Sequence, residues 1–263
     1  MRIAILSSSP WSETATALCV QLIKAGQGPV GVISLPRLHW QTGLRKVMQW
    51  GPAAVGRYVT NQWVKRPHET AVHNEFLRPL LDHDGRLFRN VTAVSRTYGF
   101  GIFVTRDINT SAVLAKSKEW GAELLIYAGG GIVGKPLIEA TPLGVLNSHI
   151  ALLPEVRGMS APEWSILTGT APGITIHLLD IGIDTGPVLL RRELRDIPQP
   201  ISRLRDKLVA EGVSMLVEAA VKLDKGLISP APQAATGSDK QYFVMHQRLA
   251  DVAAARLGRQ SGF

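Results

Sequence analysis

An amide, an imidazole and a carboxylate carry the chemistry that can be read from this sequence: Asn147, His149 and Asp184. Val145 to His149 reads as a short buried strand. Side chains on a strand alternate faces, so Asn147 and His149 point to the same side. Leu152-Leu153-Pro154 ends that strand, because proline supplies no ladder donor. A second apolar run, Gly173 to Leu179, leads into a Gly/Asp-rich loop, Asp180 to Gly186, that carries Asp184 back over the first strand. An amide N–H can face an oxygen on which negative charge develops, and losing one such donor typically costs on the order of 100-fold or more in rate. A carboxylate beside an imidazole can hold the ring charged and accept a proton through water. These are parts of an acyl transfer that needs no covalent intermediate, and no activated Ser or Cys stands out to form one.

Asn147-Ser148-His149, Leu152-Leu153-Pro154 and Asp184-Thr185-Gly186-Pro187 follow one another in an order that resembles the folate-dependent formyltransferase family. That family includes enzymes acting on methionyl-tRNA, glycinamide ribonucleotide and amino sugars. Three separated elements in order are more specific than any single motif. The resemblance is carried by Gly101 to Leu190. It implies 10-formyltetrahydrofolate as formyl donor. It further implies that Gly129, Gly130, Gly131 and Ile132 read the pterin on one side, with Leu179, Asp180 and Ile183 on the other. Asn147 and protonated His149 would face the oxyanion, and Asp184 would hold the imidazole and take the amine proton. Arg157-Gly158 resembles the tRNA and sugar branches more than the purine branch, and both residues are candidate acceptor contacts. Ile150 and Ala151 depart from the commoner Pro/Ala-Ser before Leu-Leu-Pro, which affects the turn and not the three catalytic positions.

The elements that must position these groups have the pattern of an α/β fold, a Rossmann-like, doubly wound and mostly parallel sheet. Arg2 to Leu6 is an apolar run broken by Ser7-Ser8-Ser9-Pro10, which fits a first parallel strand. Ser7 and Ser8 are candidate acceptor or phosphate contacts at a helix N-terminus, and an ordinary serine-rich turn reads equally well. No G-x-G-x-x-G follows this strand, so a nicotinamide site lacks its phosphate-binding turn. A helix is expected from about Glu13 to Ala25, and strands at Pro29–Leu35, Gly101–Val104, Glu123–Ala128 and Val188–Leu194. Thr110 or Ser111 can cap a helix running to Trp120. Further helices are expected at Val133–Glu139, Met159–Leu167 with Pro162 in its first turn, Ile201–Lys225 and Asp251–Leu257. Pro36 to Arg96 reads as a helical insertion, two or three helices broken near Gly51-Pro52. Residues 1–226 would form the catalytic domain, and 227–263 a linker with a short extension. His177, in an apolar strand, is expected to be a hydrogen-bonded structural residue, and His68 and His73 surface residues.

Composition sets the outer bounds. At 263 residues and 45% hydrophobic content the chain can bury a sizeable core. Its single cysteine, Cys19, rules out a disulfide within the chain and reads as a buried apolar residue. With no signal peptide or membrane span in the sequence, a cytoplasmic protein is expected. No Cys/His spacing suggests a metal. The net charge is +8, and residues 1–100 hold 12 Lys/Arg against 5 Asp/Glu, with no acid between Thr14 and His68. Arg37, Arg45, Lys46, Arg57, Lys65 and Arg66 there alternate with Trp40, Trp50, Tyr58 and Trp63. That points to an anionic partner or to a solvated basic face. About forty residues follow the long helix, without the C-terminal barrel of a methionyl-tRNA enzyme, so a small anionic amine is expected as acceptor rather than nucleic acid. A nucleotide-linked amino sugar is one candidate, and a homodimer is left open. The same residues would also serve a 10-formyltetrahydrofolate hydrolase, a methionyl-tRNA formyltransferase-like enzyme without that barrel, or a non-catalytic folate-binding protein.

Overall fold

Strands that are apolar on both faces belong in the middle of a parallel sheet. Ile3–Ser7 (β1), buried at every position, stands there in the computed structural model, which describes residues 1–36, 72–234 and 240–260. Helix Glu13–Lys24 (α1) follows; the Ser12 side chain accepts from the Ala15 N–H and caps it. Gly31–Ser34 (β2) comes next. A small hairpin, Asp82–His83 (β3) with Arg86–Leu87 (β4), precedes Val91–Tyr98 (α2) and Gly101–Val104 (β5). Ser111–Glu119 (α3), Leu124–Ala128 (β6), Lys135–Ile138 (α4) and Val145–His149 (β7) lead to the short strand Arg157–Gly158 (β8) and to Ala161–Thr168 (α5). The chain then runs through Gly173–Leu178 (β9), Val188–Glu193 (β10), Ile201–Asp224 (α6), Gln241–Tyr242 (β11) and Gln247–Gln260 (α7).

The main sheet has seven strands in the order β10-β9-β7-β6-β1-β2-β5. β1 pairs in parallel with β2 on one side and β6 on the other, and β7 continues in parallel from β6. β9 then enters antiparallel to β7, and β10 antiparallel to β9. The chain leaves β1 in one direction and returns on its other side at β6. Ligands of such sheets sit where the strand order reverses, beyond the carboxyl ends of the strands.

Alternation sorts the side chains into two cores. Ile3, Ile5, Leu124, Ile126, Leu146, Ile174 and Ile176 pack with Leu18 and Leu22 of α1 and Leu208 and Leu216 of α6. Ala4, Leu6, Ile33, Leu125 and Val145 pack on the other face with Val113 and Leu137. Asn147 and His149 share the parity of Val145, so they lie on the α3/α4 face. Ser148 faces the other way, onto Gly212 of α6. Cys19 lies fully buried in the first core, and burial pushes its thiol pKa up.

Most expected elements stand near their expected positions. Most of the expected helical insertion, and with it the run from Arg37 to Arg66 and His68, lies outside the described residues. Its remainder holds a 3₁₀ turn at Arg78–Leu81, the β3–β4 hairpin and α2. The segment read as a linker does more than connect. Ala231 exchanges two backbone hydrogen bonds with Val188, at 2.7 and 2.8 Å. The terminal helix runs beyond Asp251–Leu257 at both ends, and Ala253 and Leu257, four residues apart, bury one face of it. It packs on α5, and Arg256 donates to the Leu167 carbonyl at 2.9 Å. Among the described residues no helix is long and apolar enough to cross a membrane, and no cluster of three His, Cys, Asp or Glu is arranged to hold a metal.

Candidate active site

The antiparallel pairing of β7 with β9 builds the site. Its register sets Asn147 opposite His177 and His149 opposite Thr175. All four share one face, since Ile174 and Ile176 occupy the other. Past β7, the Leu152-Leu153-Pro154 turn is lashed down by Thr175, whose hydroxyl donates to the Ala151 carbonyl at 2.8 Å and accepts from Leu153 N–H at 3.0 Å. That turn brings Val156 back under His149, and His149 Nε2–H donates to the Val156 carbonyl at 2.8 Å. The bond fixes a proton on Nε2 and turns Nδ1 toward the loop after β9.

Asp184 meets it there. Its Oδ2 lies 3.4 Å from His149 Nδ1 and accepts from Gly158 N–H at 2.8 Å, and its Oδ1 lies 3.6 Å from His177 Nε2. Asp184 holds φ +53°, the left-handed region that non-glycine residues visit mainly at turns and functional sites. The loop beneath is braced by Asp180, whose Oδ1 accepts from Gly182 N–H at 3.1 Å and from the Thr185 hydroxyl at 2.6 Å.

His177 has no exposed surface. Its Nδ1 faces the Leu178 carbonyl at 2.9 Å, an acceptor only, so Nδ1 carries the proton. Nε2 is then a lone pair in the neutral ring, and Asn147 Nδ2 donates to it at 3.0 Å. Burial lowers the pKa of His177; the Asp184 charge partly offsets this, and His149 adds to it. The second N–H of the Asn147 amide is not used by His177.

A family model described as formyl transferase matches residues 65–220, more than half of the chain. The chain belongs to the formyltransferase family. It is 33% identical to the methionyl-tRNA formyltransferase of Pelobacter propionicus over 60% of this chain and 56% of that protein. It is 34% identical to that of Ruminiclostridium cellulolyticum over 52% of this chain and 45% of that protein. The chain spans about half the length of these curated relatives. Among solved structures, its fold is similar to a phosphoribosylglycinamide formyltransferase from Anaplasma phagocytophilum. There the TM-score is 0.57 and the identity 15%, over 92% of this chain and 98% of the other. An N-formyltransferase from Helicobacter canadensis, solved with folinic acid and dTDP-3-aminofucose, gives 0.55 and 13% over 92% and 71%. At such identities the likeness is one of fold, and it agrees with the mixed, mostly parallel sheet expected from the sequence.

In this member of the family the remaining expected site residues fall into two groups. Gly129, Gly130 and Gly131 follow β6 at the strand-order reversal, all with positive φ (103°, 131° and 97°). Three consecutive residues in that region are open only to glycine, which leaves bare backbone facing outward. The turn is held from behind: the Tyr127 hydroxyl donates to the Gly131 carbonyl at 2.8 Å, and Asn109 Nδ2 donates to the Ile132 carbonyl at 2.9 Å. Asn109 Oδ1 accepts from Gly134 N–H at 2.6 Å. Burial raises the pKa of the Tyr127 phenol. Ile132 and Ile183 project into solvent, and Leu179 N–H donates to Val145 at 2.8 Å, anchoring the second flank. Ser8 packs against Gly129, whereas Ser7 is buried, its hydroxyl donating to the Ser9 carbonyl at 2.7 Å. Of the two serines, only Ser8 is exposed. Gly158 touches Asp184 directly through its N–H, and Arg157 reaches Gln233.

His177 is buried and hydrogen-bonded, as expected of it, and only its pairing with Asn147 was not visible in the sequence; the same-face alternation of Thr175 and His177 was the available signal. Sequence reading missed two residues of this assembly. Asn109 and Gln233 left no local signal, since each acts on backbone distant in sequence.

Proposed function

We propose that this chain is an N-formyltransferase that moves a formyl group from 10-formyltetrahydrofolate to the primary amine of a small anionic acceptor, with nucleotide-linked amino sugars as the leading class. The observation that carries this reading is the meeting of Asn147, His149 and Asp184 on one face at the end of β7. The residues present suit a folate donor. Open space lies beside Gly131, and Ile132 (89% exposed), Ile181 (80%) and Ile183 offer apolar surface beside bare backbone groups. Such a mixture suits a flat heteroaromatic ring with polar edges.

When bound, the donor supplies the formyl carbon and the nitrogen that departs from it. The second N–H of Asn147, unpartnered among the described residues, is available to the formyl oxygen as negative charge develops there. His149, its Nε2–H held by Val156, offers a second donor at Nδ1 when the ring is protonated, with Asp184 beside it. Asp184 takes the proton that the attacking amine must lose and returns it to the departing nitrogen, so one C–N bond forms as another breaks with no net proton change. Neutral His177 fixes the Asn147 amide so that no reorientation is needed during reaction.

The sugar-nucleotide class draws support from the dTDP-3-aminofucose in the Helicobacter canadensis structure and from the expected charge of the acceptor. A second reading, methionyl-tRNA as acceptor, draws support from the 33–34% identity to methionyl-tRNA formyltransferases. The test is to incubate the chain with 10-formyltetrahydrofolate and nucleotide-linked amino sugars, with methionyl-tRNA, and with no amine. Formyl-sugar product supports the first reading, and formylation of methionyl-tRNA alone supports the second. Formate release at the same rate in every arm identifies a hydrolase. No turnover in any arm overturns all three.

A further inference from the structure

We propose that Gln233 is a positioning residue for Asp184, and through it for the formyl transfer proposed above. Gln233 lies in the segment after α6, pinned two residues earlier where Ala231 pairs with Val188. Its Nε2 donates to both the Asp184 and the Gly186 carbonyls, each at 2.8 Å. Its Oε1 accepts from Arg157 Nη2 at 3.1 Å. The amide orientation is unambiguous, because carbonyls only accept and a guanidinium only donates.

These bonds close a loop of contacts around the carboxylate. Gln233 grips the backbone that carries Asp184 and also the strand, β8, whose Gly158 N–H holds Asp184 Oδ2. Asp184 sits in the left-handed region, where surrounding structure must over-determine the conformation for it to persist. The carboxylate oxygens stand 3.4 and 3.6 Å from the two imidazoles, spacings that a sub-ångström shift would change substantially. Misplacement by about 1 Å can cost on the order of 100-fold in rate.

The test has a spectroscopic arm and a kinetic arm, both on the full chain. Gln233→Met keeps the length without the hydrogen bonds, and Gln233→Glu sets an acceptor against the two carbonyls. In the first arm, ring resonances of His149 and His177 are followed by NMR through a pH titration. Both rings should shift in either variant, while the resonances of distant His73 and His83 stay in place. In the second arm, kcat should fall about 10- to 100-fold with donor KM within about 3-fold. In an Asp184→Asn background the same substitution should cost little further, because the group it positions is gone. Unchanged rings, or an equal cost in both backgrounds, overturn the proposal. Shifted rings in a chain without formyl transfer support the positioning role and overturn the function assigned to the site. If Gln233→Glu fails to fold, Gln233→Met alone decides.

Discussion

Asn147 is oriented by His177, not by His149: its Nδ2 donates to His177 Nε2 at 3.0 Å across directly paired positions of β7 and β9. The amide would otherwise rotate freely between two orientations, only one of which presents an N–H to an oxyanion. Because His177 Nδ1–H is committed to Leu178, the lone pair on Nε2 selects that orientation.

A ranking of variants follows from this arrangement. Asn147→Ala, His149→Ala and Asp184→Ala should each lower kcat by at least ~100-fold with the fold intact. His177→Ala should cost less, about 10-fold, because the amide remains but loses its orientation. His177→Gln, which can again offer an acceptor to Asn147, should recover part of that loss. Steady-state kinetics alongside circular dichroism reads the ranking; near-wild-type turnover in folded His149→Ala would remove the mechanism.

The same buried ring makes stability depend on pH. An imidazole ordinarily titrates near 6.5, and burial lowers His177 below that value in the folded chain. Above pH 6.5 the ring is neutral in both folded and unfolded states, and its contribution is fully present. As pH falls below 6.5 the unfolded chain takes up the proton first, so stability is lost progressively toward the folded pKa. Protonation of Nε2 would also set a donor against the Asn147 amide N–H. Thermal melts between pH 7.5 and 5, at roughly the interval where imidazoles titrate, should show a steeper decline for wild type than for His177→Gln. Parallel declines would mean that His177 is not the titrating group.

How far this arrangement was legible in the sequence depends on whether each part is local. The alternation along Val145–His149 sufficed to set Asn147 and His149 on one face, because strand geometry is a property of consecutive residues. The strands themselves followed from apolar runs punctuated by Gly and Pro, whereas their order in the sheet is set by pairing between distant segments. His177 was found in the sequence but its partner was not, since partnership depends on the register of β7 against β9. The serine-rich turn after β1 illustrates the reverse. Ser7 and Ser8 look alike in sequence, yet Ser7 closes a strand buried on both faces and Ser8, one residue past its end, is exposed. The segment read as a linker is rich in Pro, Ala and Gly, a composition that says nothing of the Gln233 bonds to residues some fifty positions earlier.

Asn109 offers a test of the donor side alone. Its side chain spans the glycine turn, donating to Ile132 and accepting from Gly134, and is itself held by Asp107 Oδ1 at 3.3 Å. Asn109→Ala should free the Gly129–Gly131 backbone to sample other conformations. The ordering cost would then be met at the moment the donor binds, so donor affinity should fall about 10-fold, equivalent to roughly 1.4 kcal/mol. Acceptor KM should be nearly unaffected. Tyr127→Phe removes one bond from the same turn and should give a smaller effect in the same direction. Isothermal titration with a folate analogue measures both, and an unchanged Kd in Asn109→Ala would show that the turn needs no brace.

Gly158 links the tail to the Asp184 carboxylate, and its substitution should report on both. Its φ of +100° is strained for any residue with a Cβ, and a Cβ there would press into the Tyr242 carbonyl oxygen, which is backbone and cannot rotate away. Gly131 supplies the control. Its φ is +97°, nearly the same, but nothing lies near its Cβ position. Gly131→Ala should therefore cost backbone strain alone, about 1–3 kcal/mol. Gly158→Ala should cost more, because β11 must also withdraw from β8, breaking the 2.9 Å bond from Met159 N–H to Tyr242. Withdrawal of β11 exposes Trp164, which stacks on Tyr242 with ring centroids 4.8 Å apart and donates to the Phe243 carbonyl at 2.9 Å. Limited proteolysis should then cut near residue 240 faster in Gly158→Ala than in Gly131→Ala, and tryptophan emission should shift to the red. Equal melting temperatures and equal cleavage rates in the two variants would mean that β11 yields without cost, and that the tail does not brace the loop holding Asp184.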